Sequence, residues 1–142
     1  MSILSYLFGE SDQPPPDPVW QRDPAMKYYR LLSMRPGRPN LTGRSGVFVL
    51  FHRGVRPGWV YVGATADLAG AVERVQAHHE ISEYERRGGV FMTWSYIRAD
   101  KRDGVVAYLR RQMKPEVEDP ALDEALGCGP MGAAPIAVQL PA

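Results

Sequence analysis

Cysteine is nearly absent from this chain. Cys128 stands alone among 142 residues, so neither an internal disulfide nor a thiolate metal cage is open to it. Long apolar runs are missing too. None approaches the roughly 20 residues of a membrane span, and Met1–Phe8 is short and lacks the basic n-region of a signal peptide. A cytoplasmic protein is the expectation. Excess charge is also missing: 17 basic and 16 acidic side chains give a formal +1, which excludes a histone-like polycation. The middle of the chain is poor in proline. Of 13 prolines, seven lie in residues 1–40, five lie from Pro115 onward, and only Pro57 lies between. Lys and Arg vanish after Lys114.

What is present is unevenly arranged. Residues 41–115 carry 12 basic and 7 acidic side chains, a surplus of +5. Residues 116–142 carry five acids and no base, −5. Proline removes a backbone donor and disfavours regular structure. Three segments follow: an N-terminal amphipathic and Pro-rich arm over 1–42, a core domain over 43–118, and an acidic, then Gly/Ala/Pro-rich tail over 119–142. The hydrophobic fraction of 44% suffices for one soluble core.

Local patterns predict the elements. Ser2 to Phe8 reads as a two-turn helix with Ile3, Leu4, Leu7 and Phe8 in one stripe. Pro14-Pro15-Pro16-Asp17-Pro18 reads as polyproline II. Asp23-Pro24 predicts a helix start, with the helix running to about Met34. Gly46–Phe51 and Trp59–Val62 read as a strand hairpin. Asp67 caps a helix with Leu68, Val72, Val75 and His79 on its apolar face. Val90–Arg98 reads as a third strand. Asp103 caps a second core helix, with Val105, Val106, Leu109 and Met113 inside and Pro115 at its end. The order ββαβα predicts an α/β fold, an α+β sandwich with a small, mainly antiparallel sheet flanked by helices. Beyond it, 116–127 holds a helical turn or two. Ile136, Val138 and Leu140 alternate in a pattern suited to joining a sheet edge.

Two motifs sit on the first two strands, GVF at 46–48 and YVG at 61–63, and a T-x-D-L phrase ending at Leu68 opens the helix. With the later strand, the helix and Lys114-Pro115, residues 45–118 resemble the GIY-YIG nuclease family. The resemblance implies two tyrosines and an arginine at a scissile phosphate, a glutamate holding one divalent cation, and an asparagine bracing the site. In that correspondence the first tyrosine falls on Phe48 and the second on Tyr61. The arginine falls on Ala71, the metal-binding glutamate on Val106 and the asparagine on Glu118. Only Tyr61 and the glycines remain. Valine cannot ligate a hard cation, and losing even one oxyanion-type stabiliser costs on the order of 10²–10³ in rate. The expectation is a non-catalytic GIY-YIG-like domain with no metal and no cofactor.

Function is then expected in the arms, as a protein-interaction or assembly module. Ile3, Leu4, Leu7, Phe8 and Trp20 are its candidate anchors, on a protein partner or on a second copy. The alternative is a nucleic-acid binder, or a residual nuclease using Tyr61 and Arg74, with Arg74, Arg98, Lys101, Arg110 and Arg111 lining an open groove. These alternatives differ at one place. An assembly module has Ala71 and Val106 packed beside Tyr61, whereas a binder keeps a basic cleft there. Membrane docking through Met1–Phe8 is disfavoured, because that segment has no Lys or Arg to meet anionic lipid. The His79/Glu83 pair lacks a third ligand for a metal site, and His79 is expected to be partly buried with His78 solvated. Cys128, between glycines, has no positive neighbour in sequence to activate it.

Overall fold

The structure, a computed structural model, describes residues 18–35, 37–54, 58–128 and 133–141. The N-terminal stripe Ile3, Leu4, Leu7 and Phe8 lies outside the described residues, as do Pro14–Asp17. The fold is mixed α/β. Strands β1 (Tyr29–Arg30), β2 (Gly46–His52), β3 (Gly58–Thr65) and β4 (Val90–Ser95) form one antiparallel sheet in the order β1-β4-β2-β3. Helices α1 (Leu68–Ala77), α2 (His79–Glu83), α3 (Ala99–Met113) and α4 (Pro120–Leu126) flank it. Among the described residues no helix is long and apolar enough to cross a membrane.

The central strand β2 is buried on both faces, which its unbroken apolar run GVFVLF requires. Alternation divides its side chains between two cores. Phe48 and Leu50 join Tyr61, Met92 and Trp94 under α1, α2, α4 and the 3-10 turn Leu31–Ser33. Val47 and Val49 join Val62 and Ala64 under α3, where Val105, Val106, Leu109 and Met113 all turn inward as their spacing predicted. A bulge after Leu50 shifts the β2–β3 register.

The two motif glycines have packing reasons. A Cβ on Gly46 would stand 2.2 Å from the Ser95 carbonyl oxygen on β4. A Cβ on Gly63 would stand 2.7 Å from the Tyr61 ring and 3.0 Å from the Phe48 ring. Glycine therefore lets the strands close up and lets two aromatic rings share one spot.

Several predicted elements differ. No α-helix follows Asp23-Pro24, and the only helical turn in the expected span is the 3-10 turn Leu31–Ser33. The Asp23 carboxylate accepts from the Lys27 amide at 2.9 Å, and the Asp23 amide bonds the Lys27 carbonyl at 2.8 Å, closing a turn. Tyr29 and Arg30 then pair with Met92 and Phe91. The third strand stops at Ser95, and α3 begins at Ala99, so Asp103 lies inside that helix rather than capping it. The first core helix ends at Ala77, and His79 opens α2.

The C-terminal alternation does not become a strand. Residues 133–141 form no strand, and the Ile136 amide bonds the Gly104 carbonyl of α3 at 2.9 Å. The reason is that the outer edge of β3 is already covered. Trp59 and Val60 carbonyls accept from the Glu116 and Val117 amides at 3.0 and 2.9 Å. The Val62 carbonyl accepts from Arg110, the Thr65 carbonyl from Arg102 at 3.1 Å, and Ala64 contacts the Cys128 sulfur. Such covering removes a template for strand addition.

Candidate functional site

Tyr61 is the one chemical side chain that the sequence pattern retained, and the site is built around it. β3 carries Tyr61 on the face toward α4, where its ring lies 5.8 Å from that of Phe48 and is 1% exposed. The hydroxyl donates to Asp123 Oδ1. Asp123 is placed by local chemistry in α4. The Asp119 side chain caps that helix by accepting from the Ala121 and Leu122 amides, and Pro120 takes the first helical position. Leu122 and Leu126, one turn apart, anchor the helix in the core. Gly127, at φ 85°, ends it.

Arg110 completes the cluster from α3. It reaches round the β3 edge, and its Nε and Nη2 donate to the Val62 carbonyl at 3.0 and 2.7 Å. Nη1 and Nη2 also grip Asp123 at 3.1 and 2.7 Å in a two-pronged ion pair. Its guanidinium carbon lies 5.5 Å from the centre of the Tyr61 ring. Burial, then the bond to Asp123, holds the Tyr61 phenol far above its ordinary value. Burial pulls the Arg110 guanidinium down, but the Asp123 hydrogen bond and charge outweigh it and leave it raised. The phenol of Tyr61 and the charged guanidinium of Arg110 therefore meet at the Asp123 side chain. Asp123 occupies the hydroxyl that a substrate would need.

Cys128 is fixed beside this cluster rather than placed in a loose tail. Its sulfur accepts from the Ala64 amide at 3.3 Å and donates to the Ala64 carbonyl at 3.2 Å. Burial raises its thiol above the usual range, partly offset by the Ala64 bond. The thiol form dominates, so this cysteine is not an activated nucleophile.

The remaining sequence-derived positions do not converge. Ala71 is packed at 2% exposure in the core that holds Phe48 and Tyr61. Val106, at 6% exposure, is packed in the other core, across the sheet. Glu118 is exposed, next to the Asp119 cap. Arg74 is exposed on α1, and Lys101 and Arg111 are exposed on α3. Arg98 pairs with Asp100 at 3.2 Å. Arg110 is spent on Asp123 and Val62, so these five residues do not line one groove. Among the described residues no group of three His, Cys, Asp or Glu side chains is placed to hold a metal ion.

The histidines exchange roles relative to expectation. His79 is 88% exposed and pairs with Glu83 at 3.1 Å. His78 is 15% exposed. Its Nδ1 accepts from the Ile81 amide, capping α2, while Nε2 lies 2.7 Å from Asp119 Oδ2. That bond, first among its causes, lowers the Asp119 carboxyl. Trp20 is half-buried against the chain's own C-terminal segment and donates from its indole to the Gln139 carbonyl at 2.9 Å. As an anchor for another molecule it is already engaged.

Asp123 is the residue that sequence reasoning missed. In the sequence it reads only as one of the five acids of the acidic tail. The signal available was the Asp-Pro start at 119–120, which sets Asp123 one turn into a helix whose Leu122 and Leu126 must face inward.

No protein-family model, no curated protein and no solved structure matches this chain.

Proposed function

We propose that this protein is a non-catalytic module of protein assembly built on a GIY-YIG-like scaffold. One observation carries the proposal: the Tyr61 hydroxyl and Arg110 are both bound to Asp123 inside the fold. The positions corresponding to the family's arginine and glutamate, Ala71 and Val106, are packed in separate cores. The scaffold reading is supported by the pairing of the two motif strands, with Phe48 opposite Gly63. It is also supported by β2 lying between β3 and β4, with α1 following β3 and α3 following β4.

Assembly through the arms is supported by the way the described parts of both arms bind. Residues 18–22 and 133–141 pack on α3 and on each other through Trp20, Ile136 and Leu140. These segments brace the scaffold, which leaves residues 1–17 as the stretch to meet another chain. The test incubates the full chain with single- and double-stranded DNA and RNA, with magnesium or manganese, and follows both cleavage and salt-dependent binding. The proposal expects neither. Cleavage that a chelator stops and Tyr61→Phe abolishes would show a residual nuclease instead. Binding that weakens steeply with salt would show a nucleic-acid binder.

A further inference from the structure

Among the described residues, the α3 face of the sheet is only partly covered at the hairpin end. Four aromatic side chains meet there, all half-buried. Tyr28 meets Phe51 edge-on with ring centres 5.0 Å apart. Phe51 stacks on Phe91 at 5.8 Å and meets Trp59 at 6.0 Å. Phe51 and Trp59 also line a pocket of about 290 Å³ with His52 and Gly58. Two arginines border the rings. Arg22 sits over Tyr28 at 4.5 Å, and Arg53 over Phe91 at 4.7 Å. Neither has an ion pair among the described residues. The surface is thus a ridged aromatic floor between two cations held against its own rings.

Aromatic-lined grooves of this kind receive polyproline II segments, which arrive extended and lose little entropy on docking. This chain carries a sequence suited to that conformation outside the described residues, Pro14-Pro15-Pro16-Asp17 running into Pro18. Residues 1–17 contain Glu10, Asp12 and Asp17 and no Lys or Arg, so their charge complements Arg22 and Arg53. The direction of the chain decides whose segment fits. Followed toward the N-terminus, Arg22 touches Tyr28 at the groove, Gln21 bonds Thr93 and Trp94, and Trp20 bonds Gln139. From Arg22 to Trp20 the chain leads away from the groove before it reaches Pro18, which favours the segment of a second copy as the occupant.

We infer that the groove of Tyr28, Phe51, Trp59 and Phe91 binds the acidic proline-rich segment Glu10–Pro18 of a second copy of this chain, with Arg22 and Arg53 meeting its carboxylates. Reciprocal exchange closes a two-fold dimer. The inference rests on the assembly reading above but is tested separately from it, since the nuclease assay is indifferent to oligomeric state.

Sedimentation velocity of the full chain, from low micromolar to millimolar concentration, provides the test. The expected result is a reversible dimer that weakens with salt. Arg53→Glu, on an exposed side chain, and the double substitution Pro15→Gly with Pro16→Gly should each weaken it about tenfold or more while far-UV circular dichroism stays native. A monomer throughout overturns the inference, and so does a dimer that neither change affects. A monomer that instead binds an oligonucleotide through Arg53 overturns this inference and the assembly reading together.

Discussion

Replacing Asp123 with alanine is the sharpest perturbation of the central cluster. The Arg110 and Asp123 side chains are 20% and 16% exposed. Breaking a fully buried pair by removing one partner costs about 3–5 kcal/mol. The partial exposure of both side chains places this pair at the lower end, about 3 kcal/mol. Tyr61 also loses its acceptor in a buried setting, adding about 1 kcal/mol. The expected loss of about 4 kcal/mol is a large share of the roughly 5–15 kcal/mol that a domain possesses. Tyr61→Phe should cost less, about 1.5–2 kcal/mol, because Asp123 keeps both prongs of Arg110. Arg110→Met combined with Asp123→Leu should recover most of the loss, since paired apolar replacement is often near neutral. Urea unfolding followed by tryptophan emission measures all of these, and the double variant compared with the single variants Arg110→Met and Asp123→Leu gives the coupling. A loss under about 1 kcal/mol for Asp123→Ala would place the pair among surface ion pairs and refute the argument.

Three further outcomes follow from the packing. Gly104→Ala gains about 1 kcal/mol of helix propensity. However, its Cβ would stand 2.6 Å from Ile136 and 2.7 Å from the Ala134 carbonyl oxygen. The displaced tail gives up burial of Val138 and Ile136, so a net loss of about 1–2 kcal/mol and faster amide exchange over 133–141 are expected. Cys128 should react slowly with an alkylating reagent at neutral pH and rapidly in urea, because burial raises its thiol; equal rates would contradict this. The Asp119 carboxyl is lowered by His78 and by the amides it caps, so its contribution is present at neutral pH and lost as pH falls through its depressed folded value. Asp119→Asn should therefore be less stable than wild type at pH 7 and flatten the acid limb of the stability profile; parallel limbs would contradict it.

How far the sequence went is clearest where the same signal succeeded once and failed once. Asp-Pro predicts a helix start at both 23–24 and 119–120. After Pro120 come Ala121, Leu122, Glu124, Ala125 and Leu126, strong helix formers with two apolar side chains one turn apart, and α4 forms. After Pro24 come Tyr28 and Tyr29, whose rings find Phe51 and Trp94. Cross-strand pairing with β4 outweighs propensity there, and no local pattern announces β4 as a partner. The β hairpin, α1 with its Asp67 cap and the inner face of α3 were legible because each is a periodic apolar run with a local start. The candidate site was legible only in Tyr61. Its partners come from α3 and α4, 49 and 62 residues away, and such distant pairing leaves no mark on local spacing.

The non-catalytic reading requires that Asp123 closes off the Tyr61 hydroxyl. Site-resolved titration of the seven tyrosine rings by carbon NMR measures that directly. Tyr61 should remain a phenol through alkaline pH until the chain unfolds. A Tyr61 ring that titrates near the ordinary tyrosine value of 10.0 in the folded protein would contradict the account, for it would mean a hydroxyl open to solvent and to substrate.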